Sequence, residues 1–124
     1  PTLVVPADRG QTRQVLVNLF TNAVEASDHA VRITCVADVI ERNGEEVCRI
    51  RIEDDGPGIP DDIREQIFEP YMTSKKNGTG LGLAIVERIV YDHDGRIHVE
   101  SAPGSGTVFI ITLPIHLDDG EAEA

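Results

Sequence analysis

The stretch SKKNGTGLGLAIVERIV, residues 74–90, restricts the fold more than any other part of the chain. Gly78, Gly80 and Gly82 alternate directly ahead of an apolar, helix-forming run. Glycines so close to a helix start let backbone N–H groups approach an anion, commonly a phosphate. Two familiar phosphate cradles do not fit. A phosphate loop places Lys-Ser or Lys-Thr at the helix start, where this chain has Leu81, Gly82 and Leu83. A dinucleotide fingerprint ends in a glycine at the position held by Leu83.

The elements around this loop follow from periodicity and punctuation. Val15, Leu16, Leu19, Ala23 and Ala26 form one apolar stripe and predict a helix from Gln11 to Ser27. VRITCVADVIE and EEVCRIRIED alternate as two strands joined by RNGE. If Asn43-Gly44 is the hairpin loop, Cys35 lies opposite Ile52 and not Cys48, so both thiols are structural and reduced. DGPGIP is irregular, and the Asp62 to Glu65 spacing predicts a capped short helix ending near Phe68.

From Glu69 to Gly80 the composition reads as a mobile loop. The helix from Leu81 to Asp92 is apolar almost all round, which predicts burial, and Asp94-Gly95 stops it. RIHVES and GTVFIITLP are two closing strands. Helices and antiparallel hairpins in this order give an α/β, two-layer sandwich with its helices on one face. The other face can meet water, as the alternation Arg96, His98, Glu100 allows. Residues 1–114 make one domain, and 115–124 an acidic flexible tail.

A net charge of −11 excludes a general nucleic-acid binder or a membrane-surface binder, both of which need a basic face. No apolar run reaches the ~20 residues of a membrane span. The opening PTLVVPADRG carries no signal peptide and reads as cut from a longer chain. A polyanion would therefore be held locally, by loops, a metal ion and a few cations such as Lys75 and Lys76.

Asn18 and Asn22 lie four apart on the first helix, with Glu25 three further on, so all three share a face. That face is either simply solvated or offers an amide oxygen to a hard cation such as Mg²⁺, which takes few protein ligands beside phosphate and water. Asp54 ends a strand before a glycine turn. It is either a turn residue or a buried acceptor for an exocyclic amine, which adenine has where guanine has a carbonyl. Gly56 and Gly58 would let the backbone pass close to a flat base. Phe68 and Tyr71 read as packing anchors for the loop, and Lys75 as a partner for a terminal phosphate.

NLFTNA, DDGPGI, IFEPY and GTGLGLAIV, in this order and spacing, resemble the N, G1, F and G2 boxes of sensor histidine kinase catalytic domains. The resemblance covers roughly residues 8–114, and FEPYMTSKKNGTGLGLAIV is most similar to the nitrogen-regulation kinases of the NtrB and NtrY kind. It implies the ATP-binding fold shared with gyrase, Hsp90 and MutL, with a mixed, mostly antiparallel sheet. It further implies Asn22 as the Mg²⁺ ligand, Asp54 as the adenine-amine acceptor and Ile59 as a pocket wall. Gly78, Thr79, Gly80, Leu81 and Gly82 would wrap the phosphates, and Thr107 would stand near the base. Asp55 departs from the commonest pattern, in which many relatives carry Asn.

The activity implied is transfer of the γ-phosphoryl group of Mg-ATP to a histidine on a separate dimerisation domain, and from there to a response regulator receiver domain. The isolated domain would be a cytoplasmic monomer and its parent a homodimer, without direct membrane contact. Of the chain's four histidines, only His93 precedes an acidic residue, and its place at a helix end reads as capping. Three other classes share these boxes: an ATP hydrolase, an anti-sigma-type serine kinase, and a module that only senses nucleotide. A hydrolase would need a general base where Asn18 stands, and an amide is a poor one.

Overall fold

The computed structural model describes residues 7–70 and 81–115. Its elements are α1 (Arg9–Glu25), β1 (Ile33–Arg42), β2 (Glu45–Asp54), a 3₁₀ turn (Arg64–Gln66), α2 (Gly82–Asp92), β3 (Arg96–Ser101) and β4 (Thr107–Pro114). The strands form one sheet in the order β1-β2-β4-β3, and each neighbouring pair is antiparallel.

The hairpin between β1 and β2 turns on two residues with positive φ, Asn43 at 53° and Gly44 at 83°. A two-residue turn of this kind fixes register, and Cys35 does lie opposite Ile52. Cys48 is buried, and desolvation raises its thiol pKa; both cysteines are free.

Every second residue of β2 and β4 turns toward the helices. Ile52, Phe109 and Ile111 meet Val15 and Leu19 of α1 and Val86, Ile89 and Val90 of α2 in one core. Phe68 joins it edge-on, with its ring centroid 6.2 Å from that of Phe109. The opposite face carries ion pairs, among them Arg49 with Asp38 at 2.7 Å and Arg51 with Glu53 at 3.7 Å.

α1 starts two residues earlier than its apolar stripe indicates. Asp8 caps it by accepting from the Gln11 N–H at 2.8 Å, and the Asp-x-x-Gln spacing was the available signal. The capping spacing at Asp62 and Glu65 misleads. Ile63, whose N–H donates to the Pro60 carbonyl, precedes a three-residue 3₁₀ turn without any side-chain cap. The Pro60 turn consumes Asp62, and Arg64 reaches away to the Ser101 carbonyl at 2.7 Å.

α2 is not buried all round. Val86 is 0% exposed, yet Ile85 is 36% and Tyr91 74% exposed, so one flank faces outward. Its end is a Schellman turn in which Asp94, at φ 61°, takes the left-handed position. The Asp94 N–H donates to the Tyr91 carbonyl and that of Gly95 to Val90, both at 2.9 Å.

His93 ties this end to the start of α1. Its Nδ1 lies 2.8 Å from the Ile89 carbonyl, which can only accept, so Nδ1 carries the proton. Nε2 then accepts from the Asp8 N–H at 3.0 Å. Beside this link, an apolar cavity of about 50 Å³ is lined by Ala7, Val15, Ile89, His93 and Leu113, among others.

Candidate nucleotide site

Antiparallel register sets Ile33, Asp54, Thr107 and Ser101 in a row across the end of the sheet, on the helix-covered face. The next row inward is Cys35, Ile52, Phe109 and Val99. Three of the four residues in the end row, Asp54, Thr107 and Ser101, are polar, so fixed hydrogen-bonding groups begin where the apolar core stops.

The Asp54 carboxylate is part-buried. Desolvation raises its pKa, and the charge of Asp55 adds to the rise. N–H groups of Gly56 and Thr107 oppose the shift by donating to the charged form, with Gly56 2.9 Å from Oδ1. Asp55 itself points elsewhere. Its Oδ1 accepts from the Arg32 N–H at 2.8 Å, while its own N–H donates to the Arg32 carbonyl at 3.3 Å. It locks the approach to β1 against the exit of β2.

The loop after Asp54 is stitched to the turn between β3 and β4. Ile59 N–H donates to Ser101 Oγ at 2.8 Å, and Gly104 N–H to the Pro57 carbonyl at 2.7 Å. Gly58, at φ 80°, has no room for a Cβ because the Ala102 carbonyl would meet it. Its glycine is thus already required by protein packing.

Around the helices, Asn18 Nδ2 donates to the Gly82 carbonyl at 3.2 Å, joining α1 to the first turn of α2. Asn22, one turn further along α1, is half-buried. Leu81 precedes α2 without supplying a side-chain cap to the N–H groups there. The structure therefore links Asp54, Gly56, Ile59 and Thr107 at the sheet end and pairs Asn18 with Gly82. Lys75, Gly78, Thr79 and Gly80, like Tyr71, lie outside the described residues.

Two contributors escape a reading of spacing alone. Ser101 holds Ile59, Gly106 and Thr107 through one hydroxyl, and Arg64 holds the Ser101 carbonyl. Ser101 does carry a signal, since it is the polar residue on the inward alternation Ile97, Val99, Ser101. Arg64 carries none.

Comparisons with known proteins show the family to which this fold belongs. Residues 7–117 match the family described as histidine kinase-, DNA gyrase B-, and HSP90-like ATPase. The chain is 44% identical to the sensory histidine kinase/phosphatase NtrB of Rhodobacter capsulatus, covering 93% of itself and 34% of that relative. It thus spans about a third of NtrB's length. The solved catalytic domain of the histidine kinase ThkA is 38% identical, with a TM-score of 0.74 and 90% of this chain and 70% of that one covered. Full-length ShkA in complex with AMPPNP is 32% identical, with a TM-score of 0.73, covering 93% of this chain and 24% of that one. The chain belongs to the histidine kinase-, DNA gyrase B- and HSP90-like ATPase family, as a histidine kinase catalytic domain.

Proposed function

We propose that this domain binds Mg-ATP and passes its γ-phosphoryl group to a histidine on a separate dimerisation domain, from which a receiver domain takes it. The carrying observation is the part-buried Asp54 carboxylate at the end of β2. A carboxylate has lone pairs beyond those taken by the Gly56 and Thr107 N–H groups, and the adenine amine is a donor suited to one of them. ShkA, a relative by sequence and fold, holds AMPPNP, an ATP analogue.

Asn22 fits a magnesium ion in the way this metal is commonly bound. Among the described residues no group of three or more His, Cys, Asp or Glu could hold a metal. A single amide oxygen, completed by phosphate and water, is an arrangement that Mg²⁺ accepts readily. Bound there, the ion would neutralise phosphate charge. Lys75 would add a cation at the terminal phosphate, while Gly78, Thr79, Gly80, Leu81 and Gly82 would surround the chain of phosphates.

Asn18 separates transfer from hydrolysis. Its Nδ2 is committed to the Gly82 carbonyl, and its amide cannot take a proton from water. The protein's part in phosphoryl transfer is then positioning, which suits an acceptor supplied by another domain. The domain would act in the cytoplasm, as part of a homodimeric parent.

Two measurements test this. Asp54→Asn should weaken ATP binding by roughly 1.5–3 kcal/mol, the range for a hydrogen bond to a charged group. Unchanged calorimetric affinity in the folded variant would remove that role from Asp54. With Mg-ATP and a purified dimerisation domain, the wild type should form acid-labile phosphohistidine on the partner and Asn22→Ala should not. Brisk hydrolysis with no phosphohistidine would place the domain among the ATP hydrolases.

A further inference from the structure

The row Asp54, Thr107, Ser101 contains a proton count that decides what the pocket floor can recognise. Ser101 Oγ has three partners: the Ile59 N–H at 2.8 Å, the Gly106 carbonyl at 2.9 Å and Thr107 Oγ1 at 3.0 Å. A hydroxyl has one proton and two lone pairs. The Ile59 N–H can only donate, so it takes one lone pair. The Gly106 carbonyl can only accept, so it takes the proton. What remains for Thr107 is the second lone pair, and Thr107 must donate.

Thr107 is 6% exposed and stands directly opposite Asp54 in the sheet. With its single proton turned to Ser101, its oxygen can only accept from anything else. The ionised Asp54 carboxylate can also only accept. The N–H groups of Gly56 and Thr107 are spent on the Asp54 carboxylate, so the two side chains present acceptors, which favour an amine edge and repel a carbonyl edge.

We infer that Ser101 is a positioning residue for base specificity: by taking the Thr107 proton, it makes Thr107 a second acceptor beside Asp54, so that the site admits a base amine and refuses a base carbonyl. The inference rests on the nucleotide reading above. Ser101 does not touch the base; it acts through Thr107 and, by holding the Ile59 N–H, through the wall of the pocket.

Without the Ser101 hydroxyl, the Thr107 proton is free to rotate toward a guanine carbonyl. Ser101→Ala should therefore narrow the preference for Mg-ATP over Mg-GTP about tenfold, the equivalent of one hydrogen bond's discrimination. Ser101→Thr, which keeps a hydroxyl, should retain the preference. Isothermal titration of both nucleotides into wild type and variants reads the ratio directly.

An unchanged ratio in Ser101→Ala overturns the inference, and so does equal weakening of both nucleotides, the mark of a mere structural brace. Should Ser101→Ala not fold, Thr107→Val supplies the same reading, because valine neither donates nor accepts. Its ratio should narrow as well, and an unchanged ratio there is equally fatal. Failure of the wild type to bind ATP would instead defeat the nucleotide reading itself. ATP selectivity that survives both substitutions would defeat the roles given to Ser101 and Thr107 and leave the nucleotide reading standing.

Discussion

Asp54, the residue proposed to hold the base, does not stabilise the fold at neutral pH. Burial and the neighbouring Asp55 charge hold the Asp54 pKa above its ordinary value. A carboxyl whose folded-state pKa is raised stabilises the fold fully only below its unfolded pKa. That contribution is lost as pH climbs through the raised value. At neutral pH the ionised Asp54 therefore works against folding. Asp54→Asn keeps an oxygen for the Gly56 N–H, so the ligand-free variant should melt no lower than wild type near pH 7. It should also lose part of the wild type's decline in Tm between about pH 3 and pH 7. Calorimetric melting across that range checks both, and a variant melting well below wild type at neutral pH would make Asp54 a structural residue. The place of Asp54 at the end of an alternating strand was legible in the sequence. A turn residue and a base acceptor were equally open readings there, and only the family resemblance favoured the second. Ser101 was harder to see. Its importance comes from cross-strand register, which brings together residues far apart in the chain.

At the scale of elements, α2 is fastened to α1 at both of its ends, by the Gly82 carbonyl to Asn18 in the middle of α1 and by His93 to the Asp8 N–H at its start. Between these links the two helices share the core, where Leu19 is 1% exposed. Leu19→Ala should cost about 2–5 kcal/mol of stability in a denaturant titration, since the cavity can close only partly. His93→Ala is a subtler probe. It should speed hydrogen exchange at the Asp8 amide while leaving that of Val86 unchanged, and equal rates at Asp8 in both proteins would show that the ring does not hold the helix start. Elements with strong local chemistry were readable. Asn43-Gly44 set the hairpin register to the residue, and Asp94-Gly95 marked the end of α2. Asp62 misled because capping is a competition, and the Pro60 turn had already used the backbone around it. The exposed flank of α2 was missed because an apolar residue count cannot tell a second buried face from an open one.

For the whole molecule, the layer arrangement was legible and the strand order was not. Pattern and punctuation imply a sheet with helices on one side, but nothing local dictates that β4 inserts between β2 and β3. That slot is chosen by long-range burial of Phe109 and Ile111. The order has a mechanical result. Ala7 and Leu113 line the same cavity, whereas Asp54 and Thr107 face each other at the opposite end of β2 and β4. At the ~3.3 Å rise of a strand residue, the length of β4 separates the two ends by roughly 23 Å. A linker of a few Gly and Ser residues between positions 7 and 113, with the chain reopened at Asn43-Gly44, should yield a permuted protein that still binds ATP. Loss of binding in a folded permutant would show that strain at one pole reaches the other. Ala7 and Leu113 thus mark one pole of the domain and Asp54 and Thr107 the other, so a force applied near positions 7 and 113 enters the sheet at the end remote from the Asp54 row.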